Sequence, residues 1–412
     1  MSKQIMKILR SVIPAKAGIQ QLKLSLIFIL SFLSSTAFAD NRTTGAMVVS
    51  VSSNGKYAIS SNQDKKIILW NIANKTYKVI SKNGNIYSAY FIKNTNDFMW
   101  QDLNDIVHVQ DVSGNEILSF HNFPTYGEVM TSDLKNYFAS DINWAIYSGY
   151  GKSQKIVKPS YGDGSDFIGN QKLLNLTLSD DNKYLLLSGA GNFGKKDKNA
   201  IVISKSQVFE GRYIDDVSLW DVKTTNVIFK FPGNAAKTMA TISPNNKYVV
   251  SIDEDDFAYL WDLKTGKRLL HLWDIYGGHA RKVTKYGLRY DFDTTGLIKP
   301  PAEFVQLQKE APYAIYSVRF IGNNHYLRFD DDEPWAILYN VHDPRPVKYL
   351  PLGRDPMPSL DDPSRDAGID TSPAAHILVM GQENSDGIIV YQYDPATKTL
   401  EKIWSPSVSS WF

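Results

Sequence analysis

Short apolar runs alternate along the chain with turns rich in Asn, Asp, Gly and Pro, and residues 240–272 show this pattern most clearly. They contain an apolar run at 240–243, a Pro-Asn-Asn turn, a second run at 248–252, an acidic loop, a third run at 257–263, and a Lys-Thr-Gly turn before a fourth run at 268–272. Asn, Gly and Pro adopt the backbone angles that tight turns need. The pattern predicts a four-stranded antiparallel meander, which must stack on similar units to bury its faces.

Two sequence markers recur in a common register along the chain. The first is an aromatic residue that opens the second predicted strand, at Tyr57, Phe98, Tyr137, Tyr184, Tyr248 and Tyr326, with a poorer match at Ile377. The successive spacings are 41, 39, 47, 64, 78 and 51 residues, and the first of them fall in the period of propeller blades. The second marker ends the third predicted strand, at Trp70-Asn71, Gln110-Asp111, Trp220-Asp221, Trp261-Asp262, Tyr339-Asn340 and Tyr393-Asp394. Shared register indicates a repeat protein.

These markers resemble the WD40 repeat and its bacterial YVTN-type relatives. The resemblance implies an all-β fold, a seven-bladed β-propeller of four-stranded antiparallel blades. We expect the blades at residues 46–81, 86–121, 127–158, 172–231, 236–272, 313–351 and 368–404. Eight blades are the alternative, because the 78 residues between Tyr248 and Tyr326 approach two periods. That stretch offers one hairpin, 286–292 with 296–299, without a Trp-Asp-like third strand.

The chain also departs from the WD40 pattern. The Gly-His pair that opens a WD40 repeat occurs once, at Gly278-His279, inside an insertion, and blade 3 has Tyr147-Ser148 in place of Trp-Asp. The internal hydrogen-bond tetrad of well-formed WD40 repeats is therefore not carried over. We expect ordinary apolar packing between blades instead.

The first 39 residues have the composition of a secretory signal. Five basic and no acidic side chains precede an apolar run at 24–33, and Ala37-Phe38-Ala39 then provides a small-residue cleavage site. The apolar run is too short to span a bilayer. We therefore expect cleavage after Ala39, a mature propeller at 40–412 with insertions at 189–216, 273–312 and 353–370, and no membrane span in the mature chain.

Charge and cysteine content narrow the class of protein further. The whole chain carries a formal charge of +2, but its excess of basic residues lies in the leader. We therefore expect no nucleic-acid partner. The chain has no Cys, which excludes disulfides and lipid attachment through cysteine. The leader and this composition favour a monomer free in a bacterial periplasm or outside the cell.

The three insertions are expected at one rim of the ring, because they follow either a second strand or a fourth strand. That rim also collects acidic residues, Asp253, Glu254, Asp255 and Asp256 in blade 5 and Asp330, Asp331, Asp332 and Glu333 in blade 6. Trp273 and Tyr276 lie in the insertion that follows blade 5. Asp is also common turn chemistry. The concentration on two blades favours a site for a protein or peptide, with a basic partner as the expected complement.

Motifs for catalysis and cofactors are poorly matched. Asp291, Asp293 and Thr295 follow the opening of a calcium loop, but Ala302 stands where the bidentate acid belongs. The glycine-rich stretch at 189–194 leads into a strand-like segment rather than a helix. We expect no catalytic residues and no cofactor, with calcium at those three residues as the weaker alternative. A propeller enzyme, either a carboxylate-dependent glycan hydrolase or lyase or a quinoprotein-like oxidoreductase, is the functional alternative to a binding scaffold.

Overall fold

The computed structural model describes most of the chain from residue 45 onward. The described ranges are 45–125, 127–140, 146–149, 155–157, 174–189, 217–231, 238–253, 258–271, 278–284, 287–292, 317–329, 335–352, 368–382 and 386–406. The expected leader and most of each expected insertion lie outside these ranges.

Seven four-stranded antiparallel sheets account for nearly all described strands, and each sheet uses strands that are consecutive in sequence. Blade 1 contains β1 (Ala46–Val51), β2 (Tyr57–Asn62), β3 (Ile67–Asn71) and β4 (Thr76–Ser81); blade 2 contains β5 (Gly84–Phe91), β6 (Phe98–Asp102), β7 (Ile106–Gln110) and β8 (Glu116–His121). Blade 3 contains β9 (Gly127–Met130), β10 (Tyr137–Ser140), β11 (Ile146–Ser148) and β12 (Lys155–Val157); blade 4 contains β13 (Leu174–Leu178), β14 (Tyr184–Gly189), β15 (Val217–Asp221) and β16 (Val227–Phe231). Blade 5 contains β17 (Thr238–Ile242), β18 (Tyr248–Asp253), β19 (Ala258–Asp262) and β20 (Arg268–His271).

The last two blades follow a separate two-stranded hairpin of β21 (Gly278–Thr284) and β22 (Gly287–Phe292). Blade 6 contains β23 (Ser317–Phe320), β24 (His325–Phe329), β25 (Trp335–Asn340) and β26 (Asp343–Pro351). Blade 7 contains β27 (Ile369–Ser372), β28 (Ile377–Gly381), β29 (Ile388–Asp394) and β30 (Thr399–Trp404). The predicted fold class is confirmed, with seven blades.

The blades close into a ring through their first strands. Each first strand contacts the first strand of the next blade, and β27 of blade 7 contacts β1 of blade 1. Because neighbouring strands in a blade are antiparallel, all first strands end at the same rim. We call that end, with the turns between first and second and between third and fourth strands, the turn rim. The opposite end, with the second-to-third loops and the blade-to-blade links, is the loop rim.

Apolar side chains fill every interface between neighbouring blades. The described core divides into seven clusters, and each joins residues of two adjacent blades. The cluster between blades 7 and 1, for example, packs Val49 and Trp70 against Val379 and Val390. Burial of these side chains is the main stabilising term, and one blade alone could not supply it. The expected apolar packing between blades is confirmed.

The first sequence marker reflects a repeated turn at the turn rim. In blade 5, the Ser243 hydroxyl donates to Asn245 Oδ1 at 2.8 Å and accepts from the Tyr248 main-chain N–H at 2.9 Å. Asn246 then adopts a φ of 54°. The same turn forms at Ser52 and at Ser179. Asn tolerates this left-handed conformation, which explains the Asn-rich spacing before each aromatic residue.

The second marker has two separate physical causes. The aromatic residue is buried between blades, as Trp261 is, while the following Asp closes the next turn. Asp262 Oδ1 accepts hydrogen bonds from the Thr265 N–H and hydroxyl, both at 2.7 Å. Asp221 does the same for Thr224. The marker therefore joins a core residue to an Asx turn.

A buried hydrogen bond inside the blade accompanies the tryptophan in blades 1 and 5. The Trp70 indole N–H donates to Ser60 Oγ, and the Trp261 indole donates to Ser251 Oγ, each at 3.0 Å. These bonds lie within a blade, so they accompany the apolar packing between blades. An indole N–H buried in a core needs an acceptor, and the second strand provides one.

The hairpin between blades 5 and 6 differs from the predicted one. A strand at 287–292 agrees with the expected strand at 286–292, and it pairs with β21, which precedes it. The predicted partner at 296–299 lies outside the described residues. The pattern contained too few alternating apolar residues to fix a partner for this strand.

Candidate functional site

A cavity of about 250 Å³ lies in the central channel of the ring. Every first strand lines it, and so do several turns of the turn rim. Several residues of each first strand line the cavity, and among them are Ser50, Tyr90, Val129, Thr177, Thr241, Arg319 and Asp370, one from each blade. Other polar residues of the first strands, such as Glu128, Asn175 and Thr371, also line the cavity, so the channel combines apolar and polar groups.

Glu128 is the most deeply buried carboxyl group of the channel. One of its oxygens accepts from the Ser88 hydroxyl of blade 2, and the other accepts from the Tyr137 hydroxyl at 2.6 Å. Asn122 Nδ2 donates to the same tyrosine oxygen at 2.8 Å. Burial raises the pKa of Glu128, and the bonds from Ser88 and Tyr137 only partly oppose it. This network joins blades 2 and 3.

Asp370 joins the last blade to the first. Its Oδ2 accepts from the Val51 main-chain N–H at 2.8 Å and from Ser50 Oγ at 3.2 Å. Burial raises the pKa of Asp370, while the Arg319 guanidinium and the Val51 N–H act in the opposite direction. Arg319 is itself held by main-chain carbonyls, through Nε to Ile369 at 3.2 Å. The charges of the channel are therefore fixed in place.

The charged groups Glu128, Asp370 and Arg319 all affect the pKa of Tyr90, which also lines the channel. Burial raises the pKa of Tyr90, Glu128 and Asp370 raise it further, and Arg319 lowers it. The hydroxyl of Tyr90 donates to the carbonyl of Tyr87 at 3.1 Å. Tyr90 is therefore a neutral phenol that lines the channel.

An ion pair crosses the mouth of the channel at the turn rim. Lys93 Nζ of blade 2 lies 3.0 Å from Asp180 Oδ1 of blade 4. The side-chain amide of Asn94 also donates to the Asp180 carbonyl. These contacts pass over blade 3 and join turns of two blades that are not neighbours. Both charged side chains remain partly exposed, so their main effect is to order the turns.

A second ion pair ties blades 7 and 1 together at the loop rim. Lys66 Nζ lies 2.5 Å from Asp386 Oδ2 and 2.5 Å from Asp64 Oδ2. Asp386 is fully buried, and burial raises its pKa although Lys66 opposes this. The other oxygen of Asp386 has no protein partner within the described part of the chain. Lys66 is therefore the cation that allows this carboxyl group to stay inside the seam.

The site residues predicted from the sequence lie almost entirely outside the described residues. This applies to Glu254, Asp255, Asp256, Asp330, Asp331, Asp332, Glu333, Trp273, Tyr276, Asp293 and Thr295. Asp253 ends β18, opposite Thr238 in the main-chain register. Asp291 lies within β22, opposite His279. The binding and metal-site roles of all these residues stay predictions.

The described part of the acidic rim shows what Asp does there. Asp102 Oδ1 accepts from the N–H groups of Asn104 and Ile106, at 2.8 and 2.9 Å. Burial would raise the pKa of Asp102, but these bonds, a side-chain bond from Asn104 and the nearby His108 lower it. This carboxylate is therefore turn chemistry. Among the described residues, no group of three His, Asp or Glu side chains has the geometry of a metal site.

Sequence reasoning missed the polar residues of the channel. Glu128, Arg319 and Asp370 each lie within a short first strand, in Gly-Glu-Val-Met, Ser-Val-Arg-Phe and Ile-Asp-Thr-Ser. A charged residue inside a predicted first strand was an available signal in these three blades. Which of these residues contact each other depends on how the blades close into a ring, because residues that are neighbours in the channel are distant in sequence.

The closed ring of seven antiparallel blades around a polar channel defines the class of protein as a β-propeller. Part of the chain is similar to a known repeat: the family model described as WD domain, G-beta repeat, matches residues 38–71, a stretch that includes β1, β2 and β3. A comparison with curated proteins gives no match. In the described part of the chain, no helix has the length and apolar character needed to cross a membrane.

Proposed function

We propose that this propeller is a protein- or peptide-binding scaffold whose partner docks on the loop rim. One observation carries the proposal. The three longest connections, between β14 and β15, between β20 and β23, and between β26 and β27, all begin and end at the loop rim. The described turns of the other rim are short and bonded to each other. Loops on a rigid scaffold commonly carry recognition, and WD40 propellers are a common protein-interaction scaffold.

The finer part of the proposal is the chemistry of the partner. The loops at residues 253–256 and 330–333 contribute eight carboxylates to the same rim. A concentration of one charge sign favours a partner of the opposite sign and speeds its encounter. We therefore expect a basic protein or peptide, bound by a monomeric propeller without a cofactor. Calcium at Asp291, Asp293 and Thr295 remains a separate prediction.

The enzymatic alternative would need two available carboxylates from different blades in the channel. The described acidic residues that line the cavity are Glu128, Asp180 and Asp370. Glu128 is held by two hydroxyls, Asp180 by Lys93, and Asp370 by the main chain of blade 1. Their contacts are those of residues that hold blades together, which favours binding over catalysis.

Partner capture from the source cells tests the proposal. Wild-type chain, the double variants D253N/D255N and D331N/D332N, and their combination serve as bait. D97N/E401Q is the matched control, because it also removes two carboxylates, one on the turn rim and one on an outer strand. We expect the combined variant to lose a partner that the control retains, identified by mass spectrometry. Equal capture by all baits would contradict the acidic-rim proposal.

We also propose that the protein is exported and loses its first 39 residues. The basic start, the short apolar run and the Ala-Phe-Ala ending support this. Fractionation of the source cells, with mass measurement of the N-terminus, is the test. The expected product begins at Asp40 and is found outside the cytoplasm. An intact N-terminus in the cytoplasmic fraction would contradict it.

A further inference from the structure

The outer strands of blades 4 and 5 each expose an aliphatic residue at the same place in the repeat. Ile228 is 37% exposed and Leu269 is 42% exposed. In both blades the register between the third and fourth strands shifts beside the marker tryptophan, Trp220 or Trp261. Ile228 and Leu269 are the residues skipped by this shift, so each is the extra residue of a β-bulge. The neighbouring Val227 is also exposed, at 41%.

Cations surround these aliphatic residues. Exposed basic side chains flank them on the same turns and strands, at Lys223, Lys230, Lys264, Lys267 and Arg268. In the described part of these turns and fourth strands the carboxylates are Asp221 and Asp262, which lie near Lys223 and Lys264, so the five basic side chains outnumber the acidic ones. The result is an apolar centre with a positive border. We call this surface, formed by Val227, Ile228, Leu269 and the five cations, the blade 4–5 patch.

Blade 2 provides a natural comparison within the same molecule. Ile117 is 46% exposed and is skipped by the same register shift, beside Gln110. Its neighbours in sequence are acidic, with Asp111 in the turn and Glu116 directly before it. The exposed aliphatic residue is therefore a property of the repeat, whereas the basic residues on its own turn and fourth strand occur in blades 4 and 5 and not in blade 2, where Lys78 of blade 1 lies beside Gly114 of the turn. This difference in charge points to a ligand.

We propose that the blade 4–5 patch docks an acidic amphipathic segment of a partner protein. The positive border complements acidic side chains, and the aliphatic centre accepts an apolar anchor. The bulges interrupt the regular edge of β16 and β20, so side chains of the partner, rather than an added strand, supply the contacts. This partner is distinct from the basic one proposed for the loop rim, and the two surfaces would let one propeller hold two proteins.

Two other occupants fit the patch less well. A bilayer requires a broad apolar face to enter the membrane, and this patch offers three partly exposed aliphatic side chains. A second copy of the chain, docked patch to patch, would bring the two sets of cations together. An acidic segment needs no broad apolar face, and the cations of the patch attract it rather than repel it.

Binding of two labelled helical peptides to the purified full chain tests the proposal by fluorescence anisotropy. Both peptides carry leucines on one face, and the remaining positions are Glu in the first peptide and Lys in the second. We expect the Glu peptide alone to bind, with affinity reduced about tenfold by I228S/L269S and by K264E/K267E. I117S is the matched control and should bind like the wild type. Circular dichroism melts show whether each variant remains folded.

The alternative occupants are measured on the same samples. Sedimentation with vesicles of phosphatidylcholine and phosphatidylglycerol, and sedimentation velocity of the chain alone, report on lipid binding and self-association. Vesicle binding lost in L269S without Glu-peptide binding would overturn the proposal, and so would a dimer lost in L269S. Equal Glu-peptide affinity for wild type, I228S/L269S and K264E/K267E would also overturn it.

Discussion

Asp370 Oδ2 accepts a hydrogen bond from the Val51 main-chain N–H at 2.8 Å, although 319 residues separate the two. Blade 1 uses only the first strands of the chain and blade 7 only the last, so no strand is exchanged where the ring closes. Among the described residues, side-chain hydrogen bonds, apolar packing and a main-chain bond from the Ala46 N–H to the Gln382 carbonyl at 3.3 Å hold the seam. Ala46 and Gly381 lie so close there that a Cβ on the glycine would meet the Ala46 carbonyl at 2.8 Å.

Replacing Asp370 should weaken the seam. In D370A the Val51 N–H loses its buried acceptor, and we expect the free energy of unfolding to fall by about 1–3 kcal/mol in urea denaturation. The control E401A removes an exposed carboxylate on β30 and should change stability by less than about 0.5 kcal/mol. Equal stability of D370A and the control would show that water replaces the carboxylate.

The Lys66–Asp386 pair makes a different prediction, because only one partner is fully buried. K66M leaves the Asp386 carboxyl group buried without its cation, and we expect a loss of about 2 kcal/mol or more. Replacing both partners, in K66M/D386L, should recover much of that loss because no fully buried charge then remains in the seam, and the Asp64 carboxylate that is left is partly exposed. Thermal and urea unfolding of the three proteins measure this. A double variant less stable than K66M would contradict the assignment.

Glu128 should make stability depend on pH. Its pKa is raised by burial above its ordinary value of 4.5, so the folded protein binds its proton more tightly than the unfolded chain. Its contribution to stability is therefore greatest in acid and falls as the pH rises through the folded pKa. E128Q resembles the protonated acid, so its melting temperature should fall less than that of the wild type from acidic to neutral pH. Parallel curves would contradict this interpretation.

Two equivalent turn positions should respond in opposite directions. Gly266 has a φ of 67° in blade 5, and Thr225 has a φ of 56° in blade 4. G266A introduces a strained residue, and its Cβ would lie 2.7 Å from the Phe229 ring. We expect G266A to destabilise by about 1–2 kcal/mol and T225G to be neutral or stabilising by up to about 1 kcal/mol. Chemical denaturation of both variants is the measurement, and equal losses would contradict it.

The repeat made the blades predictable from sequence, because each marker has a local cause. Asn246 adopts the left-handed turn and Asp262 caps the next one, both within a few residues of the strands they join. The contacts of Glu128 and Asp370 were not predictable in this way. Their partners belong to other blades, and Asp370 meets Val51 only once the ring has closed.

The bulges illustrate a further limit of sequence patterns. Ile228 and Leu269 lie among consecutive apolar residues, so the local sequence does not show which side chain is exposed, and their exposure follows from a shift of one residue in pairing. Such a shift reverses which side chains face the core. It depends on the packing of the third strand against the next blade, which a local pattern does not contain.

Because each blade is continuous in sequence, the gap between blades 7 and 1 is the one junction in the circle that has no peptide link between its blades. Every other junction carries such a link in addition to its packing. The chain therefore corresponds to a closed ring of blades that is open at one junction. The order of the blades in the gene, rather than their packing, determines which junction is open. A circular permutant opened between Ser81 and Gly84 would retain every blade intact and exchange one seam for another.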